Sequence, residues 1–342
     1  MFKPLTIAVL LAAAAVPLAT AAQQPKAAAQ PAKPSRPSID RNVLHVQVIL
    51  DKLGFGPGVI DGKGGESLKA ALRGFQESRG LPKTGLPDKR TLAALHPYRG
   101  VRPTVTLELN ERVLAGPYVN PIPKDYAEQA KLPAMAYRAP IEKLAEMFHT
   151  TPQTLVALNR PGTKLAPGSK VVFPNALPSS RDYPGKLPET FRATLNSLNI
   201  DARQPQGAKI VVDKSDGVLR VFDKGNKLIA QFSATMGSST DPLPLGTWKV
   251  LGPAYNPDWK MNPKILKKVD DSKQAQVIPP GPNNPVGVVW IDLSKEHYGI
   301  HGTSEPQQIG RAESNGCIRL TNWDAARLAL MVKAGTPAVF QA

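Results

Sequence analysis

Tyr298-Gly299-Ile300-His301-Gly302-Thr303, followed by Ser314-Asn315-Gly316-Cys317-Ile318-Arg319-Leu320, is the stretch on which the reading of this chain turns. Cys317 is the only cysteine in 342 residues, so no disulfide can form within the chain. A histidine upstream of a glycine-flanked cysteine supplies a thiol nucleophile and its base. The competing reading is an inert cysteine that packs as a small hydrophobe. Asn315, Gly316 and Arg319 make a poor core segment, which favours the nucleophile. Gly316 has no Cβ to block a substrate carbonyl, and the backbone N–H groups of Gly316 and Cys317 can meet an oxyanion as it forms. His301 can accept the thiol proton, or it can pair as imidazolium with a thiolate and lower the thiol pKa. No Asp or Glu stands where it would orient that ring, so a backbone carbonyl near Gly302 or Thr303 is expected to do so. Arg319 lies two residues past the thiol and points to the same side of an extended backbone. A guanidinium there suits a substrate carboxylate or the thiolate, with a plain salt bridge as the alternative.

A metal reading must be weighed, because His297, His301 and Cys317 are all zinc-ligand types. There is no His-Glu-x-x-His pattern, only five histidines in the chain, and no clear fourth ligand. No metal or other cofactor is expected, and His297 and Tyr298 are read as pocket wall or ordinary packing.

The N-terminus reads as an export signal. Lys3 precedes an apolar run from Leu5 to Leu18, and Ala19-Thr20-Ala21 offers a small-x-small cleavage site after Ala21. The run is too short for a comfortable membrane span, and no later stretch reaches eighteen apolar residues, so no transmembrane anchor is expected. The expected location is the periplasm or cell envelope. A formal charge of +16 would ordinarily suggest nucleic acid. Export removes that partner and leaves an anionic envelope polymer, or mere solubility.

The rest of the chain divides by composition. Residues 1–21 are the signal peptide and 22–38 a Pro- and Ala-rich disordered tether. Residues 39–97 form a small helical domain. Val46, Ile49, Leu50 and Leu53 lie on one helical face behind Asp40 as N-cap, Leu68, Ala71, Leu72 and Phe75 on a second, and Asp88 caps a third helix. Residues 98–130 read as a Pro-punctuated connector. Residues 131–175 read as strand (Met135 to Arg138), helix, helix and strand (Lys170 to Phe173), the second helix capped by Thr151-Pro152. His149 reads as a surface or capping residue. After a linker at 176–206, with a short helix around Phe191 to Leu198, residues 207–342 are mostly β. Strands are expected at 210–212, 218–222, 228–233, 247–250 and 286–291, with hairpin turns at Asp216-Gly217 and Gly225-Asn226. A proline-rich stretch from Gly252 to Pro285 reads as irregular loop. Thr321 or Asn322 caps a final helix to about Lys333.

Three resemblances follow from these motifs. Residues 39–97, with Asp61-Gly62 and Phe75-Gln76, resemble the three-helix peptidoglycan-binding domain family. Residues 131–175 are similar to the LysM family of glycan-binding modules, but Ala139-Pro140 replaces the usual Gly-Asp at the first turn. The two stretches quoted first, with Asn322-Trp323-Asp324-Ala325, Pro244-Leu245-Gly246-Thr247 and residues 280–287, look like the catalytic signature of the L,D-transpeptidase family (YkuD type) across 207–342. Asn315 stands where many members have a second histidine before the Gly-Cys pair.

The transpeptidase resemblance implies that Cys317 is the nucleophile and His301 its base. Gly316 and Cys317 would supply oxyanion donors. Arg319, Ser314, Asn315, Gly302, Thr303, His297 and Tyr298 would line the substrate site. The implied reaction is acyl transfer from a peptidoglycan tetrapeptide stem, through a Cys317 thioester, with release of the terminal D-alanine. The acceptor amine would belong to another stem or to an outer-membrane lipoprotein, and the glycan would be a binding partner. The Pro-rich stretch before Val286 would act as a lid. Water as acceptor, giving a carboxypeptidase or amidase, and a non-catalytic wall-binding protein are the alternatives.

Overall fold

The computed structural model describes residues 39–239, 241–263, 274–311 and 316–342. The signal peptide and the tether at 22–38 lie outside the described residues, as do Ser314 and Asn315. No helix among the described residues is long and apolar enough to cross a membrane.

The N-terminal region is helical. Helix α1 (Arg41–Lys52) starts where Asp40 accepts the N–H groups of Asn42 and Val43. A short strand β1 (Phe55–Gly56), helix α2 (Glu66–Ser78) and helix α3 (Lys89–Leu95) follow, the last capped by Asp88. The two motif pairs of this region are structural clamps. Gln76 is fully buried; it donates to Thr84, Leu86 O and Thr91 and accepts from Gly85 N. Gln47 accepts from Asp61 N and Gly62 N, closing a turn in which Gly62 has φ 68° and a Cβ would meet Ile39 at 2.5 Å.

Next come strand β2 (Thr104–Glu108), two one-turn helices α4 (Glu111–Leu114) and α5 (Tyr126–Gln129), helices α6 (Pro140–Met147) and α7 (Pro152–Leu158), and strand β3 (Lys170–Pro174). Strands β2 and β3 pair antiparallel over a core in which Phe148 stacks on Phe173 at 4.1 Å. Four helices rather than two stand between the paired strands, and the first strand lies in the stretch read as connector. Residues 135–138 are not a strand, because their backbone is used elsewhere. Met135 N donates to Pro280 O, and Met135 O accepts from Asn283 N, both at 2.9 Å.

Helix α8 (Glu189–Ser197) leads into strands β4 (Lys209–Asp213), β5 (Val218–Phe222), β6 (Leu228–Ser233), β7 (Thr235–Met236), β8 (Gly246–Tyr255), β9 (Trp259–Met261), β10 (Gln276–Ile278), β11 (Val289–Leu293), β12 (Gly299–His301) and β13 (Ile318–Arg319), then helix α9 (Asn322–Met331) and strand β14 (Pro337–Gln341). Ten strands form one sheet in the order β1-β6-β5-β4-β14-β8-β11-β12-β13-β7. The stretch from Gly252 to Pro285 is more regular than its prolines suggest. Strand β8 runs on to Tyr255, and β9 pairs with β10. Proline can sit beside such an excursion without interrupting a ladder. Strand β11 accordingly begins at Val289 rather than Val286, where a turn with Gly287 at φ 65° intervenes.

The N-terminal segments are built into this sheet, not strung before it. Strand β1 adds to its edge beside β6, and Leu228 shares a core with Leu50, Phe55 and Phe75. At the centre, Asp51 on α1 accepts a two-pronged bond from Arg327 on α9, both contacts 2.9 Å. Asp51 also bonds His149 Nδ1 at 3.0 Å, and His149 Nε2 contacts Leu198 O at 2.8 Å. His149 is therefore a buried junction, fully enclosed, with its ring stacked on Trp323 at 5.1 Å and 8°. Its two ring nitrogens thus meet a carboxylate on one side and a backbone carbonyl on the other. Burial alone would raise the Asp51 pKa, but Arg327 and His149 outweigh it and hold the carboxyl far below its usual range.

Removing one member of a buried charge pair leaves the other uncompensated, at a cost of about 3–5 kcal/mol. Asp51→Ala is therefore expected to lower unfolding stability by about that amount at neutral pH. Because the folded pKa of Asp51 is depressed, its contribution is present above about pH 4 and fades as pH falls further. Denaturation at pH 7 and pH 3 checks both the size of the gap and its narrowing.

Candidate active site

Strands β12 and β13 run parallel, with Ile300 opposite Ile318 and His301 opposite Arg319. Ile300 and Ile318 are completely buried in the main core. Alternation along each strand turns Gly299, His301, Cys317 and Arg319 to the other face. The sheet thus brings together the histidine, the thiol and the guanidinium that the sequence singled out. Thr235 on β7 and Trp290 on β11 register beside Arg319 and His301 on that face.

His301 is held on several sides. Its ring lies nearly parallel to Trp290, with centroids 5.4 Å apart. Its Nδ1 bonds Gly302 O at 2.7 Å, so a backbone carbonyl orients the ring as the lack of a nearby carboxylate demanded. A carbonyl only accepts, so in the neutral ring Nδ1 carries the proton and Nε2 keeps its lone pair. Burial pushes the imidazole pKa down to about 4; the Arg319 charge adds to this, and the Gly302 carbonyl opposes it.

Cys317 is partly buried, and its Sγ lies 3.8 Å from the carbonyl of His297. Burial raises the thiol pKa; a Gly299 backbone bond and Arg319 oppose the rise, and Asp241 adds to it. Of the two arrangements the sequence left open, a thiolate–imidazolium pair and a neutral pair, this environment favours the neutral pair. Desolvation penalises both charged forms at once. Arg319 supplies a fixed positive charge, and its Nε is buried without a hydrogen-bond partner among the described residues.

The surrounding residues divide into wall and scaffold. Gly316 has φ 88°, and a Cβ there would lie 2.7 Å from the Tyr298 ring, so Tyr298 walls the thiol only because glycine precedes it. His297 adopts φ 64° and offers its carbonyl to the site, while its ring is 57% exposed beside Glu296. That ring faces away from the pocket-wall role read from sequence. The Thr303 hydroxyl accepts from Glu305 N and braces a turn. Gly302 has no room for a side chain, because a Cβ would meet Asn322 Oδ1 at 2.1 Å. Trp290 and Asp241 were not read as site residues. Trp290 alternates with Ile291 along a buried strand and could have been placed on a face once its partner strand was known. Asp241 carries no sequence signal.

Residues 207–340 match the family model of the L,D-transpeptidase catalytic domain (YkuD), and residues 40–95 match that of a peptidoglycan binding domain. Two relatives are named as L,D-transpeptidases YkuD. One, of Bacillus licheniformis, is 27% identical over 57% of this chain and 90% of its own length. The other, of Bacillus subtilis, is 54% identical over 16% of this chain and 34% of its own. A solved L,D-transpeptidase from Mycobacterium smegmatis is 23% identical, with a TM-score of 0.31, over 39% of this chain and 58% of that one. The match thus falls on two separate stretches, one to an L,D-transpeptidase catalytic domain and one before it to a peptidoglycan binding domain.

The neutral pair sets a measurable expectation. The rate of Cys317 alkylation by iodoacetamide should rise with a midpoint above the ordinary thiol value of about 8.5. His301→Ala should leave that midpoint nearly unmoved, because a neutral ring contributes no charge. A midpoint near or below 7 that climbs on substitution would establish the ion pair instead.

Proposed function

We propose that this protein is a cell-envelope L,D-transpeptidase that uses Cys317 as nucleophile and His301 as base. The observation that carries the reading is the β12–β13 register, which sets His301 beside Arg319 on the face shared with Cys317. In the proposed reaction, Cys317 Sγ attacks the carbonyl that precedes the terminal D-alanine of a tetrapeptide stem. His301 Nε2 takes the thiol proton as the C–S bond forms, so charge appears only as the reaction proceeds. Backbone N–H groups at Gly316 and Cys317 receive the oxyanion. The protonated His301 then returns that proton to the departing amine, and D-alanine leaves. An acceptor amine attacks the thioester, gives up its proton through His301, and restores the thiol. Arg319 binds a substrate carboxylate or steadies the oxyanion. Ser314 and Asn315, beside the nucleophile in sequence, complete the substrate site.

The hairpin β9–β10 and the turn after it serve as the cover that limits water, which favours an amine acceptor over hydrolysis. The peptidoglycan-binding-type domain holds the glycan of the same polymer. The export signal read at residues 1–21 delivers the enzyme to the periplasm, where the basic surface suits an anionic wall. An outer-membrane lipoprotein is an alternative acceptor with the same amine chemistry.

Carbapenem acylation tests the nucleophile, because a strained cyclic amide offers the thiol a reactive carbonyl. Intact mass should show one adduct per chain, and Cys317→Ala none. Acylation should stay near full rate down to about pH 5, because His301 titrates at about 4. Incubation with purified sacculi then separates the outcomes: new cross-links support transfer, shortened stems support hydrolysis, and binding alone would sink the enzymatic reading.

A further inference from the structure

Asn322 opens helix α9, and its side chain bonds the backbone at Val288 and Pro282, packs against Gly302, and bonds one buried carboxyl group. Its Oδ1 accepts from Val288 N at 3.2 Å and fills the space where Gly302 and Gly287 would carry side chains. Its Nδ2 donates to Pro282 O at 3.1 Å and to Glu146 Oε1 at 2.8 Å. Glu146 is buried on α6, far back in the chain, and Tyr137 donates a second hydrogen bond to it. Gly302 is the residue whose carbonyl holds His301 Nδ1, and its own N–H bonds Val289 O at 3.2 Å.

The side-chain amide of Asn322 can rotate about its own axis. Without a fixed acceptor for Nδ2, its two ends are nearly interchangeable in shape and opposite in polarity. Turned over, it would present N–H groups to Val288 N–H and leave that donor buried and unmatched, at a cost of about 1–3 kcal/mol. The Pro282 carbonyl and the Glu146 carboxylate both accept from Nδ2, with Glu146 the shorter contact, and together they hold the amide orientation that suits Val288 and packs against Gly302. Burial raises the Glu146 pKa to about 7, with the bonds from Tyr137 and Asn322 opposing the rise. An acid held in such a site is destabilised unless its partners compensate.

We propose that Glu146 is a positioning residue for the catalytic base: through Asn322 it fixes the Gly302 peptide, and through that peptide the orientation and tautomer of His301. The segment between the peptidoglycan-binding-type domain and the catalytic domain thereby takes part in catalysis as well as in architecture. The proposal rests on His301 being the base.

The test compares Glu146→Gln, Glu146→Asp and Glu146→Leu in the full mature chain, each checked for folding by thermal unfolding. Glu146→Gln keeps an acceptor for Asn322, and the Tyr137 hydroxyl can accept from the new amide. It should retain kcat within about threefold. Glu146→Leu deletes the acceptor, and Glu146→Asp withdraws it by one methylene. Either should lower kcat for acyl transfer by about tenfold with donor KM little changed, since small misplacements of reacting groups fall on the chemical step. Imidazole 15N spectra should show His301 as the Nδ1–H tautomer in the parent and in Glu146→Gln, and as a mixture in the other two. A folded Glu146→Leu or Glu146→Asp with parental kcat and tautomer overturns the proposal. So does a loss of kcat with the tautomer unchanged, which would mark Glu146 as a packing residue only. His301→Ala is the separate control: if it keeps parental kcat, the base assignment itself has failed, whatever the Glu146 variants do.

Discussion

The buried contact of Asp51 with Arg327 and His149 is the constraint on which the rest of the molecule depends. It joins the first helix, the loop after α6 and the last helix of the catalytic domain at one point. Charges taken out of water are tolerated only when each finds its opposite in good geometry. Asp51 meets that condition with three donors, and the Trp323 ring seals the other side of His149. Asp324 does not meet it. Its oxygens have no hydrogen-bond partner among the described residues, and burial raises its pKa to about 6. Arg327, 3.5 Å away, is the nearest compensation. A cluster with one well-paired and one poorly paired carboxylate holds together only while all three segments are docked.

Helix α9 transmits this docking to the chemistry. Arg327 and Asp324 on α9 face the first helix, while Asn322 at the helix start faces the backbone behind His301. Thr321 caps the helix through Asp324 N, and the Leu320 N–H just before it bonds His301 O at 2.8 Å. A rigid helix of ten residues therefore carries the packing of the N-terminal segments to the catalytic strands. The inserted stretch between β2 and α6 makes a second set of contacts. Met135 bonds the 280–283 turn on both sides, Asn283 Nδ2 bonds Ala136 O, and Tyr126 packs edge-on against Trp259 of the β9–β10 hairpin. The β9–β10 pair and the 280–283 turn are thus braced by residues outside 207–342.

The electrostatics of the site follow from its dryness. Burial shifts the Cys317 thiol and the His301 imidazole each toward its neutral form, because either charge would be formed in a poorly solvating place. The fixed guanidinium of Arg319 lowers the imidazole pKa and eases the thiolate at the same time. The site is thus arranged for charge that develops during reaction, in the manner of preorganised dipoles. Tyr298, Gly316 and the left-handed turn at His297 shape the space around the sulfur without adding charge.

Local pattern determined much of this protein. Helices α1, α3 and α7 begin at the caps that Asp40, Asp88 and Thr151 announced, and α2 and α6 follow the apolar spacing without a side-chain cap, because capping and spacing act within one or two turns of chain. The need for a backbone carbonyl to orient the His301 ring was legible from residue type, and Gly302 O meets it. What pattern misplaced was decided by partners distant in sequence. Residues 135–138 have the composition of a strand, yet their backbone bonds the 280–283 turn. His149 looks like a surface cap and is the buried junction, because Asp51 and Leu198 arrive from either side. The thiol could have been ionised or neutral on residue type alone. Burial shifts it toward the neutral thiol, and burial is a property of the assembled fold: a pKa depends on how much water and which charges surround a group, and neither is written in its neighbours along the chain.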